Sequence, residues 1–122
     1  MNKIIVEVSV GELLDKISIL EIKKEKIKDS DKLKFINNEH EILKTQYDQN
    51  VQNNEKIEKL FESLKDINLK LWTIEDDKRL CETEKDFGER FIKLSRQVHS
   101  LNDDRAKIKL EINDLCGSKI KE

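Results

Sequence analysis

The chain has 122 residues, enough for one small domain with a modest core. Its 24 basic and 26 acidic residues give a net charge of −2, without the basic excess typical of proteins that bind nucleic acids. No apolar run approaches the ~20 residues needed to cross a bilayer. We therefore expect no nucleic-acid partner and no membrane insertion. The 41% of charged residues and the absence of proline favour a soluble, mostly helical protein.

The first residues predict a short β-strand over 3–8. Ile4, Val6 and Val8 alternate with other residues, so they would share one face of an extended segment. Few later segments resemble a partner strand. The strand is therefore expected either to pair with its copy in a dimer or to lie along the helices as an arm. The apolar stretch is short, is interrupted by Glu7 and lacks a cleavage site, so it does not fit a secretory signal.

Two helices are predicted next, over residues 10–27 and 32–50. The first begins with a capping-box pattern, in which Ser9 is the N-cap and Glu12 follows three residues later. Apolar residues at helical spacing form one face of this helix, while Ile19 and Ile22 project towards another side. A helix with two apolar sides is usually enclosed between layers or forms a subunit contact.

Two longer helices with heptad-like seams are predicted over residues 54–84 and 87–116. Their apolar residues recur at alternating steps of three and four, at Leu60, Leu64, Ile67, Leu71 and Ile74 and again at Phe91, Leu94, Val98 and Leu101. The second seam continues through Arg105 to Ile108. The phase changes between Cys81 and Phe87, and Asp86 begins a second capping-box pattern, so we place a break near Lys85. The predicted fold class is all-α. It is an antiparallel bundle of three to four helices in a single domain, 1–122, with the short N-terminal β-strand.

The two cysteines, Cys81 and Cys116, lie far apart within helical sequence. Lone thiols in a chain without export features are typical of reduced, structural cysteines. These observations predict a cytoplasmic location.

Several short motifs stand out along the chain. They are the opening SVGELLDKISILEIK at 9–23, the pattern WxIEDxxR at 72–79, the pattern NDxRAxIK at 102–109, and the pairs Ile112-Asn113 and Gly117-Ser118. Together they resemble an uncharacterised family of short bacterial and marine-phage proteins, a domain of unknown function. Because that family has no established activity, the resemblance implies no catalytic residue. It implies that these positions define the family.

A cluster of charged and polar residues on the last two helices is the candidate site. It consists of Glu75, Asp76, Arg79, Arg96, Asn102, Asp103, Arg105 and Lys109. Arg105 is the sharpest of these, because it occupies a seam position where an apolar residue is expected. A buried arginine needs a carboxylate or an anionic ligand. Two interpretations stay open: an ion pair that fixes helix register, or an anion pocket inside the bundle.

Metal and cofactor sites find little support in the sequence. Neither His40 nor His99 lies in a Glu-x-x-His motif of the kind that di-iron bundles use. The pair Glu12 and Asp15 has a spacing that binds magnesium in some all-α enzymes, but such pairs arise often by chance in an acidic chain. We therefore predict no metal and no cofactor, and interpret His40 as a core-edge residue with one hydrogen bond.

The sequence leaves two classes of function open, and it does not decide whether the chain is an enzyme. The first is a non-enzymatic helical module that assembles into a homodimer or higher homo-oligomer, or binds another protein. The alternative is a small all-α enzyme or binder of an anionic metabolite, a carboxylate or phosphate. The two differ in what they demand of Arg96, Arg105 and Lys109. An enzyme needs these residues to face a cavity, whereas an assembly module needs them paired with protein carboxylates.

Overall fold

A computed structural model describes residues 2–120 of the chain. Over this range the protein is all-α, with helices α1 (Val10–Lys26), α2 (Ser30–Asn50), α3 (Glu55–Glu84) and α4 (Glu89–Cys116). Each bound lies within two residues of the bound predicted from the sequence. The all-α class is therefore confirmed.

The helix ends follow local chemistry. Ser9 caps α1, because its Oγ accepts a hydrogen bond of 3.0 Å from the backbone N–H of Glu12. The predicted break near Lys85 is confirmed, because Lys85 adopts a left-handed conformation with φ of 56° and ends α3. The predicted capping role of Asp86 is wrong, because Gly88 is the N-cap of α4. The Asp86 carboxylate instead accepts a hydrogen bond from the Gly88 N–H in the preceding turn.

Helix α1 is the central element of the bundle. It packs against α2, α3 and α4, and α3 and α4 also pack against each other. The main core cluster draws on all four helices and consists of Leu14, Ile17, Tyr47, Ile57, Leu64 and Ile112. Because α1 has 17 residues and α3 has 30, the connected ends of α3 and α4 continue beyond α1.

The second apolar side of α1 is explained by this central position. Ile22 is fully buried and Ile19 is half-buried, and both lie in one groove wall beside Leu71 and Trp72 of α3. The sequence left two interpretations of this second apolar side, enclosure between layers or a subunit contact. For Ile22 the first is correct, because helices of the same chain cover it.

The predicted N-terminal strand is also wrong for the single chain. Residues 2–8, here called the N-terminal arm, have no regular secondary structure, and residues 2–120 contain no β-strand. The side chains of Ile4, Ile5 and Val6 are 91%, 89% and 71% exposed. A strand needs a neighbour to satisfy its backbone, and the helical part of the chain supplies none.

None of the described helices is both long enough and apolar enough to cross a membrane.

Candidate functional site

A polar cluster joins α1, α3 and α4 around the carboxylate of Asp15, which is only 1% exposed. We call this set the Asp15 hub, and its members are Gly11, Glu12, Asp15, Ser18, Asn68, Arg105, Lys109 and Asn113. Asp15 lies one residue from Leu14 and two from Ile17, so it points to another side of α1 than these core residues. Groups this deeply buried are stable only when they are paired and hydrogen-bonded.

Arg105 provides the main counter-charge of the hub. Its Nε donates to Asp15 Oδ1 at 3.0 Å, and its Nη2 donates to Oδ2 of the same carboxylate. This two-point contact is the geometry for which a planar guanidinium is suited and an ammonium is not. It explains why an arginine stands in the apolar seam of α4.

Lys109 supplies a second cation one helical turn further along α4. Its Nζ donates to Glu12 Oε2 and lies 3.4 Å from Asp15 Oδ2. Both contacts reach α1, and the Lys109 side chain is only 15% exposed. Glu12 pairs with Lys109, whereas Asp15, further along α1, pairs with Arg105, earlier in α4. Helices α1 and α4 are therefore antiparallel.

Two uncharged side chains, Asn68 of α3 and Ser18 of α1, add further hydrogen bonds to the hub. Asn68 Nδ2 lies 2.8 Å from both Asp15 Oδ1 and Ser18 Oγ, and donates towards each. The Ser18 hydroxyl in turn donates to the backbone carbonyl of Asp15 at 2.7 Å. The hub therefore connects three helices through one carboxylate.

Helix α1 approaches α4 closely at Gly11. Its backbone N–H donates to Asn113 Oδ1 at 2.7 Å, although the two residues are 102 positions apart. A Cβ at this position would stand 2.6 Å from the backbone carbonyl oxygen of Lys109 and 2.9 Å from Asn113 Oδ1. Only glycine fits this contact without displacing one of the helices.

The electrostatics of the hub favour an ionised Asp15. Burial by itself would raise the pKa of this carboxyl, but the hydrogen bonds from Arg105 and Asn68 and the charges of Arg105 and Lys109 hold it below its usual value. A general base works best with a pKa near the working pH and a free lone pair directed at a substrate. Asp15 has a lowered pKa, and its oxygens are engaged by Arg105, Asn68 and Lys109, which are not the features of a general base.

Part of the candidate cluster predicted from the sequence does converge, in a groove next to the hub. This groove, here called the Trp72 groove, has a volume of about 310 Å³ and lies between α1, α3 and α4. Its apolar wall includes Ile19, Leu71, Trp72 and Val98. Five predicted site residues line it: Glu75, Asp76, Arg79, Asn102 and Arg105.

The other three predicted residues lie elsewhere. Arg96 lines a separate surface depression with Ile92 and Lys93 of the same helix. Asp103 is exposed, and Lys109 is committed to Glu12 and Asp15 in the hub. The structure therefore divides the predicted cluster between the groove, the hub and the surface of α4.

No group of three or more His, Cys, Asp or Glu side chains within residues 2–120 is arranged to hold a metal ion. His40 links α2 to α1, with Nε2 3.3 Å from Glu21 Oε2 and Nδ1 3.0 Å from Lys24 Nζ. Cys81 and Cys116 are both free thiols. Burial raises the pKa of the Cys116 thiol, so it is protonated at neutral pH.

The hub itself was not predicted from the sequence. Glu12 and Asp15 were interpreted as a magnesium pair and Glu12 also as part of a capping box, Asn113 was named only within a family motif, and Asn68 was not singled out. One signal was available, because Asn102, Arg105, Lys109 and Asn113 recur at steps of three and four, as residues on one helix face do. Such a polar stripe inside an apolar seam requires a complementary polar stripe on a neighbouring helix.

Comparison with protein families gives a match over residues 4–122 to a family of unknown function, DUF6165. The chain belongs to the DUF6165 family. Neither a curated protein nor a solved structure matches it. In this DUF6165 chain, the motifs 9–23 and 102–109 supply the Asp15–Arg105 and Glu12–Lys109 pairs, and the motif 72–79 supplies the α3 side of the Trp72 groove.

Proposed function

We propose that this chain is a non-enzymatic helical module that assembles with a second copy of itself. The observation that carries the proposal is the N-terminal arm, whose Ile4, Ile5 and Val6 side chains are largely surrounded by solvent in the single chain. Three consecutive β-branched residues with such exposure favour pairing with another chain over remaining free.

The Asp15 hub supports the same proposal. An assembly module was expected to pair Arg96, Arg105 and Lys109 with protein carboxylates. Arg105 and Lys109 meet that condition, because both contact carboxylates of α1, whereas Arg96 lines a surface depression. The most deeply buried charges of the bundle therefore fix the arrangement of its helices, which leaves the surface as the place where partners bind.

The test is the mass of the protein in solution. We expect sedimentation equilibrium to give twice the chain mass of 14.4 kDa, with reversible dissociation on dilution. A mass of 14.4 kDa at every concentration, up to the highest the protein tolerates, would rule the proposal out.

A second candidate function rests on the Trp72 groove. It places an aromatic ring and aliphatic side chains beside the guanidinium groups of Arg79 and Arg105 and the carboxylates of Glu75 and Asp76. This mixture suits a small ligand with an apolar body and both an anionic and a cationic group. Arg105 is largely neutralised by Asp15, so Arg79, whose side chain is 81% exposed, is the cation of the groove that a ligand can reach.

Ligand binding in the groove is testable by thermal shift. A zwitterionic or dicarboxylate compound at 100 times its dissociation constant should stabilise the fold by ~2.7 kcal/mol and raise the Tm by several degrees. The shift should disappear in Arg79→Gln and persist in Arg96→Gln, which lies outside the groove. A flat response over a panel of amino acids, dicarboxylates, sugar phosphates and nucleotides would remove this candidate.

A further inference from the structure

We propose that the N-terminal arms of two copies pair as antiparallel β-strands, with the two-fold axis of the dimer passing through Ile5. This inference rests on the self-association proposed above and names the surface that carries it. The helical part of the chain offers no edge to the arm, whereas a second arm has the same unpaired backbone.

Symmetry restricts the register of such a pair. In an antiparallel pair, residues opposite each other point to the same face, and side chains alternate between the faces along each strand. A two-fold axis perpendicular to the pair keeps even-numbered residues of both copies on one face. One residue must therefore stand opposite its own copy across the axis, and the central candidates are Ile4, Ile5 and Val6.

Charge selects among these choices. With Ile5 on the axis, Lys3 of each copy stands opposite Glu7 of the other, which gives two cross-strand pairs of opposite charge. With Ile4 on the axis, Lys3 faces Ile5, and with Val6 on the axis, Glu7 faces Ile5. A parallel pairing in register would place Lys3 against Lys3 and Glu7 against Glu7. Only the register centred on Ile5 matches both charges.

The same register sorts the apolar residues. Ile4, Val6 and Val8 of both copies lie on one face, which makes a six-residue apolar surface, while the other face carries Ile5 and the charge pairs. A two-stranded ribbon is marginal by itself and needs its apolar face covered. Next to the start of α1, a mostly polar depression includes the apolar side chains of Val10 and the half-exposed Leu115, which the apolar face of the ribbon can contact.

Charge exchange tests the register directly. Lys3→Glu and Glu7→Lys should each raise the Kd of the dimer about tenfold, since each converts two attractive pairs into repulsive ones. The double variant Lys3→Glu/Glu7→Lys restores opposite charges and should return to the wild-type Kd. Lys34→Glu makes the same change of net charge as Lys3→Glu at an exposed site of α2, and this matched control should leave the Kd unchanged.

Cysteine cross-linking gives an independent measurement. Opposed residues in an antiparallel pair have Cα atoms about 4.5–5.5 Å apart, within the span of a disulfide. Under mild oxidation, the introduced thiols of two Ile5→Cys chains should therefore form an interchain disulfide. Peptide mapping separates this bond from any that involves Cys81 or Cys116. Val6→Cys is the control. In the register centred on Ile5, residue 6 of one chain stands opposite residue 4 of the other, so the two introduced thiols are offset by two residues and should not form a disulfide.

The outcomes separate the two proposals. Failure of the double charge variant to recover, or an interchain disulfide in Val6→Cys in place of one in Ile5→Cys, would overturn the pairing centred on Ile5. A wild-type dimer that tolerates all arm variants would show that another surface holds the copies together, so the arm inference would fall while self-association stands. A monomeric wild-type protein would overturn both.

Discussion

Replacing Arg105 with methionine is expected to destabilise the fold by about 3–5 kcal/mol, because the buried Asp15 carboxylate then loses its two-point partner. Lys109 remains 3.4 Å from Asp15 and keeps the loss towards the lower end of this range. Urea denaturation followed by circular dichroism measures the change as a lower midpoint with an unchanged slope.

Two variants control this prediction. Arg96→Met removes an exposed arginine from the same helix and should change stability by no more than about 0.5 kcal/mol. Asp15→Leu/Arg105→Met removes both members of the pair and should recover most of the loss, because no uncompensated charge remains. If Arg105→Met unfolded at the wild-type midpoint, the Asp15 hub would have no structural role.

The same pair gives the protein an acid dependence. The pKa of Asp15 is lowered in the folded state, so its stabilisation is complete above the unfolded value of about 3.9 and is lost as the pH falls through the folded value. The wild-type protein should therefore lose more stability than Asp15→Leu/Arg105→Met when the pH is lowered below about 4. Equal losses in both proteins would contradict this assignment.

Gly11→Ala should destabilise the protein by about 1–3 kcal/mol, the range typical of forced overpacking in a close contact. The sign of this change in stability is informative, because without other contacts alanine stabilises a helix interior relative to glycine by about 0.5–1 kcal/mol. Here the new Cβ would stand 2.6 Å from the Lys109 carbonyl oxygen, which is backbone and cannot move without moving α4. The shift in Tm reports the loss.

Gly88→Ala is the matched control for this effect. Its Cβ would meet only the Asp86 carboxylate at 3.4 Å, which is an ordinary van der Waals contact. We expect a loss of about 0.5–1 kcal/mol at this N-cap position, where alanine is less favourable than glycine. Equal responses of the two glycine variants would show that the approach of α1 to α4 is looser than described.

The helices were predictable because their signals are local. The seams of α3 and α4 repeat within each helix, and the side chain that starts α1 bonds an N–H three residues away. The anomaly of Arg105 was also visible, since one charged residue interrupted an apolar seam. Its partner was not visible, because Asp15 lies 90 positions earlier and one sequence does not specify which helices adjoin.

Two points could not be decided from the sequence for the same physical reason, that the environment of a residue depends on its neighbours in space. The two apolar sides of α1 left a subunit contact and enclosure between layers both open for Ile22, and the structure shows that α1 is enclosed by the other three helices. The alternation at 3–8 looked like a strand, but a strand is formed by two segments, and the described part of the chain supplies only one. The alternation over 3–8 identified the apolar side chains correctly, but residues 2–120 of a single chain supply no second segment with which they could form the predicted strand.

The Asp15 hub joins the first helix to the last, through contacts that span 90 to 102 positions in sequence. During synthesis, α1 leaves the ribosome long before Arg105, Lys109 and Asn113 exist. Until then, Asp15 and Glu12 belong to a helix without these counter-charges. Before α4 has been made, the contacts open to α1, α2 and α3 are apolar ones and exposed or half-exposed polar pairs such as Lys65–Glu21. The polar contacts that join α1 to α4 can form only after Arg105, Lys109 and Asn113 have been added to the chain.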